Sequence, residues 1–351
     1  METKTTGKIQ TVLGMIKPEN LGLTVTHEHL LVDLMCYFYE PEEASRRSYI
    51  DKPFTMDIRG ELPQIAFNMK SNLQYYDIDL SITEVSKFFN AGGGGLVDTT
   101  PMGLGRDPIA LTRISRATGI NIIMGSSYYI PHAHPANIGQ LSETDISKVI
   151  INDITNGVAD TGIKAGIIGE IGNLYPLSET ERKILRGSAR AQVETGCPIS
   201  IHPGAHDDSP MQIVEELAQA GADVKNIIMG HLDFAIDDHD KLLELADTGC
   251  FLEYDIFGFE ETNLVYLGEY MRMKSDSDRI EAIEFLIERG YLGQIVIGQD
   301  VCQTNQLTSF GGKGYAHILE NILPRLRRRD FTQGQIDQIL IHNPAKALAF
   351  S

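Results

Sequence analysis

The chain has 351 residues, of which 42% are hydrophobic and 22% charged. That balance supplies a large core and argues against disorder. The formal net charge of −18 argues against a nucleic-acid binder, which needs a basic face, and against docking on anionic membranes.

The opening segment, METKTTGKIQTVLG, is polar and lacks the basic and apolar stretches of a secretory signal. No apolar run approaches the roughly 18 residues of a membrane span. The four cysteines (Cys36, Cys197, Cys250, Cys302) form neither a CxxC pair nor a dense framework. Buried free thiols and a cytoplasmic location are therefore expected.

Residues 1–20 are expected to form a small hairpin cover. Eight short apolar runs follow: LGLTVTHEHL (21–30), GGLVDTT (94–100), INIIMGSS (120–127), IKAGIIGEIG (163–172), CPISIHP (197–203), NIIMGHLD (226–233), CFLEYDIFG (250–258) and QIVIGQD (294–300). A segment of helical period follows each, at 81–92, 107–119, 142–157, 177–196, 209–221, 237–249, 276–290 and 314–329. Ser178 with Glu181 three residues on forms a capping box, and Pro210 suits a first helical position. Gly92, Gly119, Gly196, Gly221, Gly249 and Gly290 fall where helices should end.

Eight β-then-α units with near-continuously apolar strands predict a (β/α)8 TIM barrel in one domain, residues 21–351 behind the cover. A doubly wound open sheet is the alternative, but no Gly-rich dinucleotide fingerprint follows any strand. NAGGGG (90–95) precedes a strand and reads as a helix-to-strand turn rather than a phosphate cradle. Long connections at 33–78 and 257–275 are expected to shape a substrate pocket.

In this fold the active site forms at the C-terminal strand ends. His27 and His29 end the first strand, one step apart on one face, with Glu28 outside the pair. Glu170 ends the fourth, His202 the fifth, His231 the sixth and Asp300 the eighth. Asp98, Tyr129 and Asp255 lie near the ends of the second, third and seventh. The remaining histidines, His132, His134, His206, His239, His317 and His342, read as solvated or structural. Four histidines, a glutamate and an aspartate at one barrel mouth suit zinc, with manganese, cobalt or iron as alternatives. Six ligands exceed one open tetrahedral site and fit two ions sharing a bridge.

VTHEHL, GIIGEIG, ISIHPG, GHLD and IGQD together resemble the phosphotriesterase-like branch of the amidohydrolase superfamily, in order and over nearly the whole chain. GKIQTVLGMIKPENLG, PLSETERKILR, GCPISIHPG, GCFLEYDIFG and GGKGYAHIL are similar to its phosphotriesterase-related subgroup from animals. The resemblance implies a cytosolic barrel with two divalent ions that hydrolyses N-acetyltaurine to acetate and taurine. Other small N-acyl taurines or N-acyl amino acids are allowed. The alternative is a lactonase or phosphotriesterase using the same site. It further implies one ion on His27, His29 and Asp300, a second on His202 and His231, and a bridge from the fourth strand.

Better-known members bridge with a carbamylated lysine, where this sequence has Gly169. Lys164 shares the parity of Glu170 but lies roughly 20 Å away along a strand, at the opposite barrel face. Glu170 is therefore the expected bridge. A bridging hydroxide would attack the amide carbonyl, and Asp300 would move the proton to the leaving amine. Asp233 is a candidate relay, with a helix cap as the alternative. Tyr129 resembles a tyrosine facing the ions in relatives. Tyr254, Asp255 and Arg272 are further pocket candidates, and Lys274 and Arg106 are other cations for a sulfonate. The substrate is a small molecule, with no nucleic-acid or membrane partner, and a homodimer is left open.

Overall fold

Eight parallel strands form one sheet in sequence order: β1 (Thr24–Glu28), β2 (Gly95–Asp98), β3 (Asn121–Ser126), β4 (Ile167–Gly172), β5 (Ile199–His202), β6 (Ile227–Met229), β7 (Phe251–Tyr254) and β8 (Ile295–Ile297). The structure, a computed structural model, describes residues 5–260, 263–267 and 269–351. β8 returns to β1: Asp300 N donates to His27 O at 3.1 Å and Thr26 Oγ1 to Ile297 O at 3.2 Å. The result is an α/β TIM barrel.

Helices separate the strands: α1 (Ile78–Asn90), α2 (Pro108–Thr118), α3 (Glu143–Thr155), α4 (Glu179–Thr195), α5 (Ser209–Gln219), α6 (His239–Asp247) and α7 (Asp276–Glu288). After β8, a wide-turned segment, Ile318–Ile322, runs into α8 (Leu323–Arg328). Local sequence sets their ends. Asp107 accepts from Ala110 N ahead of Pro108, and Gly119 closes α2 at φ 79°. Ser142 with Asp145, Ser178 with Glu181 and Ser275 with Asp278 form capping boxes, each worth about 1 kcal/mol.

Inside the barrel, Val97, Ile123, Ile167, Ile228, Phe251 and Val296 pack together at the end remote from the histidines. Ile9 and Leu21 from the N-terminal segment join them, as do Ala347 and Leu348. Ile9–Thr11 and Gly14–Ile16 form the expected antiparallel hairpin. The C-terminal helical stretch, Gln333–Asp337 through Asn343–Ala347, was not anticipated from the sequence. It closes the same end: Asn343 Nδ2 donates to the carbonyls of Leu292 and Ile295, and Phe350 N to Lys8 O.

The two long connections sit at the other end. Residues 33–78 form short helical turns and a strand pair joining Val32–Asp33 to Gln74–Tyr75. The loop after β7 contains an antiparallel pair, Asn263–Tyr266 with Glu269–Arg272.

Two strands depart from simple alternation. Val25 and Glu28 of β1 oppose Leu96 and Asp98 of β2, three steps against two. Ile168 and Ile171 of β4 likewise oppose Ile199 and Ile201 of β5. Each strand carries one extra residue, a β-bulge, which re-aims the side chains beyond it. The parity comparison of Lys164 with Glu170 therefore does not hold across Gly169. Lys164 lies ahead of β4, which starts at Ile167, and is partly exposed.

Candidate metal centre

At the bulge in β4, Gly169 has φ 135°, and a Cβ there would come within 2.2 Å of Ser200 O. On the neighbouring strand, a Cβ on Gly125 would lie 2.1 Å from Gly169 O. Two glycines thus let the β4 backbone swing inward, and Glu170 N donates to Thr99 O at 2.9 Å. Glu170, 1% exposed, extends its carboxylate to the centre of the mouth.

Four imidazoles meet it there. Glu170 Oε2 lies 3.4 Å from His27 Nε2, 3.3 Å from His202 Nδ1 and 3.4 Å from His231 Nε2. Glu170 Oε1 lies 3.3 Å from His29 Nε2, which is 3.3 Å from Asp300 Oδ1. The structure therefore brings together all six residues expected as ligands. His231 and Asp300 take left-handed backbone conformations, φ 53° and 45°, which cost about 1–3 kcal/mol each and persist where surroundings over-determine them. Here Asp255 Oδ2 accepts His231 N at 2.9 Å, and His27 O accepts Asp300 N.

A second ring of groups orients the histidines. Asp255 Oδ1 lies 2.8 Å from His231 Nδ1, and its Oδ2 3.2 Å from His27 Nδ1. Glu253 Oε2 is 3.3 Å from the same His27 nitrogen. Thr100 Oγ1 is 2.8 Å from His29 Nδ1. Tyr129 OH is 3.2 Å from His202 Nδ1 and 2.8 Å from Tyr37 OH. Glu28 points away from the cluster and clamps the loop bearing Asp300. Its Oε1 accepts Gln299 N and Nε2 at 2.9 and 2.7 Å, and its Oε2 accepts Val301 N at 3.0 Å.

The field in this pocket is strongly negative. Burial works against charge on His29 and His231. The carboxylates of Asp300 and Glu170 outweigh it at His29, and those of Asp255 and Glu170 at His231, pushing the imidazoles up to about 9 and about 10. His27 is raised likewise against its burial, by Glu170 and Asp255. His202 is lowered, by burial and by its neighbour His231. Burial raises Glu170, but His27, His202 and His231 more than reverse this. Such a cluster attracts cations.

The innermost atoms fit a metal. His27 Nε2 and Glu170 Oε2 are fully buried and lack hydrogen-bond partners, which is costly unless a cation sits between them. His27, Glu170 and His231 form one group whose donor atoms converge closely enough for a single ion, and His27, His29 and Asp300 form another. Imidazole and carboxylate donors suit a borderline divalent ion.

Four residues expected to take part at the mouth, Asp255, Tyr254, Asp233 and Arg272, lie off the pocket lining. Asp255 is fully buried behind the histidines, where it orients His27 and His231. Tyr254 is 2% exposed and outside the pocket lining. Asp233 is also buried: one oxygen accepts Asp255 N at 2.8 Å and the other pairs with Arg279. Its carboxylate is thereby committed to the support of Asp255. Arg272 is exposed and does not line the pocket. Tyr129 does line it, with Phe67, Phe234, Ile256, Phe259 and Met273 forming much of an apolar wall. Sequence reasoning passed over Tyr37, Phe234 and Glu253. The last was readable, because Glu253 and Asp255 alternate along β7 and so share a face.

Residues 7–348 match the Phosphotriesterase family. The chain is 41% identical over 345 residues to an N-acetyltaurine hydrolase of Tetraodon nigroviridis and to one of Xenopus tropicalis, covering 98% of each chain. Among solved structures it resembles a resiniferatoxin-binding protein from Rhodobacter sphaeroides, at 36% identity and TM-score 0.93, over 97% of this chain and 95% of that one.

Proposed function

The chain belongs to the phosphotriesterase family and is a hydrolase, and from that premise we propose that it cleaves N-acetyltaurine to taurine and acetate with two divalent ions. Other small N-acyl taurines or N-acyl amino acids belong to the same substrate class. His27, His29 and Asp300 would hold one ion and His202 and His231 the other, with Glu170 as the carboxylate available to both. Zinc is the proposed metal. When bound, such a pair supplies Lewis acidity and a water of lowered pKa.

The chain's own residues divide the remaining work. Asp300 is the most exposed of the proposed ligands, its side chain 19% exposed against 4% or less for the others. It takes a proton from the attacking water and returns it to the leaving nitrogen, without which an amine is a poor leaving group. Tyr129 OH, on the pocket wall beside His202, donates to the oxygen of the amide carbonyl as charge builds there. Phe67, Phe234 and Phe259 keep bulk water from the carbonyl. All four cysteines are free thiols, which suits the cytoplasm.

The convergence of four histidines and Asp300 on one buried glutamate carries this reading. Acetate release from N-acetyltaurine, abolished by a chelator and restored by Zn²⁺, tests it. A fully metal-loaded protein with no such turnover would contradict the substrate.

A further inference from the structure

The apolar pocket over the histidines has no lysine or arginine among its described lining residues, so beyond the histidine cluster itself an anionic group finds no fixed cation there. The cations considered from the sequence are engaged or remote. Arg106 is buried against Asp153 at 2.9 Å, Lys274 pairs with Asp237 at 2.8 Å, and Arg272 is exposed off the pocket.

A second cavity, of about 280 Å³, lies against the loop that carries Asp300. Asp300 lines the first cavity, while its neighbours Gln299 and Val301 line the second, and Phe259 and Gln306 belong to both. Arg59 and Lys313 stand on the wall of this second space. Arg59 is anchored by Nη1, which donates to the carbonyls of Asn305 at 2.7 Å and Phe310 at 3.1 Å. Among the described residues neither cation has a carboxylate within ion-pair distance.

Lys313 is delivered by a tight turn. A Cβ on Gly312 would lie 2.0 Å from Gln306 O, and one on Gly314 2.5 Å from Thr308 Cγ2. Glycine at both positions lets the turn fold onto residues 305–308. Asn305 lines the cavity, is 5% exposed, and its amide oxygen has no hydrogen-bond partner. The acidic wall residue, Glu260, accepts Asp276 N at 3.3 Å. Among the described lining residues, two cations stand against one carboxylate, in a chain whose net charge is −18.

We propose that this cavity is an oxyanion subsite for the sulfonate or carboxylate of a small molecule. Lys313 Nζ and the Arg59 guanidinium supply charge, and the Asn305 amide, turned to present its NH₂, supplies a neutral donor. The anion is either the charged end of a substrate whose amide lies beside Asp300 or a separate small anion. The first source rests on the hydrolase reading above, and the second does not.

Calorimetric titration of the metal-loaded protein with ethanesulfonate tests the site directly. Lys313→Met and Arg59→Met should each weaken binding roughly tenfold, the loss of one charge-assisted contact. Lys313 is exposed, so its variant folds even if Arg59→Met loosens its loop. Absence of ethanesulfonate binding to the parent, or parental affinity in Lys313→Met, overturns the proposal. Kinetics then separate the sources. A substrate tail requires competitive inhibition by ethanesulfonate and a roughly tenfold higher KM for N-acetyltaurine in Lys313→Met, with kcat unchanged. A separate anion requires non-competitive behaviour that Lys313→Met removes. If the parent turns over no N-acetyltaurine, the proposed reaction fails while the calorimetry still decides the subsite.

Discussion

Asp255→Asn changes one oxygen to NH₂ at the point where two histidines are oriented together. Asp255 lies 2.8 Å from His231 Nδ1 and 3.2 Å from His27 Nδ1. Burial pushes its carboxyl up, but His231 and His27 outweigh this and hold it far below the usual carboxylate range. An ionised carboxylate only accepts, so both imidazoles keep a proton on Nδ1, and when a cation displaces the second proton it is Nε2 that turns a lone pair inward. Asparagine has one accepting oxygen. Its oxygen must stay at the Oδ2 position, which also accepts His231 N, so NH₂ faces His231 Nδ1, which must then accept, while Glu253 still stands 3.3 Å from His27 Nδ1. That imidazole moves its proton to Nε2 and loses the lone pair a cation needs. Loss of such an outer partner costs roughly 10–100-fold in metal affinity, about 1.4–2.8 kcal/mol. Competition of the metal-free variant against a chromophoric Zn²⁺ chelator measures this. One ion should weaken by that factor. Two ions bound with parental affinity would refute the tautomer reasoning.

Glu170→Gln keeps the shape of the bridge and removes its charge. Elemental analysis should find fewer than two ions per chain, with activity down about 100-fold or more; two ions and full rate would contradict the bridge. Glu28→Ala strands Gln299 N, Gln299 Nε2 and Val301 N as buried donors, at a cost of about 3–5 kcal/mol in denaturant unfolding; a change under ~0.5 kcal/mol would rule out the clamp. Burial raises Glu84, but Lys87, Ser309 and Thr308 outweigh it and lower its pKa. Its stabilisation is therefore present above the unfolded carboxyl's pKa and lost as pH falls through the lower folded value. Glu84→Gln should flatten the acid limb of the stability profile below the pKa of an unfolded glutamate, and an unchanged limb would count against this assignment.

The barrel was legible because its helices and strands are written in different periods and punctuated by caps such as Ser178 with Glu181 and Gly196. The side-chain cluster at the mouth was legible because strand ends are positions a sequence can mark, and His27, His29, His202, His231 and Asp300 stand at or just beyond them. The groups behind the ligands were harder to place. Asp255 and Asp233 each end or follow a strand as a ligand would. Whether such a carboxylate faces the mouth or supports it depends on partners from other elements, here His231 and Arg279. The C-terminal stretch from Gln333 to Ala347 was missed because its burial depends on the barrel floor, whose apolar ends come from six separate strands.

A glutamate is shorter than a carbamylated lysine, and the backbone accounts for the difference in reach. In an unbulged β4 paired evenly with β5, Ile168 and Glu170 would share a face, and a carboxylate would point into the helix layer. The extra residue at Gly169 breaks that alternation, so Ile168 and Ile171 both pair outward-packing isoleucines of β5 while Glu170 turns to the axis. A lysine at 169 would need a Cβ where Ser200 O already lies 2.2 Å away, at φ 135°. Gly125 across the ladder must also lack a side chain, since the Gly169 carbonyl occupies that space. β1, which brings His27 and His29, carries the other bulge. The strand geometry and the ligand choice are thus one design. Lysine cannot be restored at position 169 without also straightening β4, and straightening β4 withdraws Glu170 from the histidines.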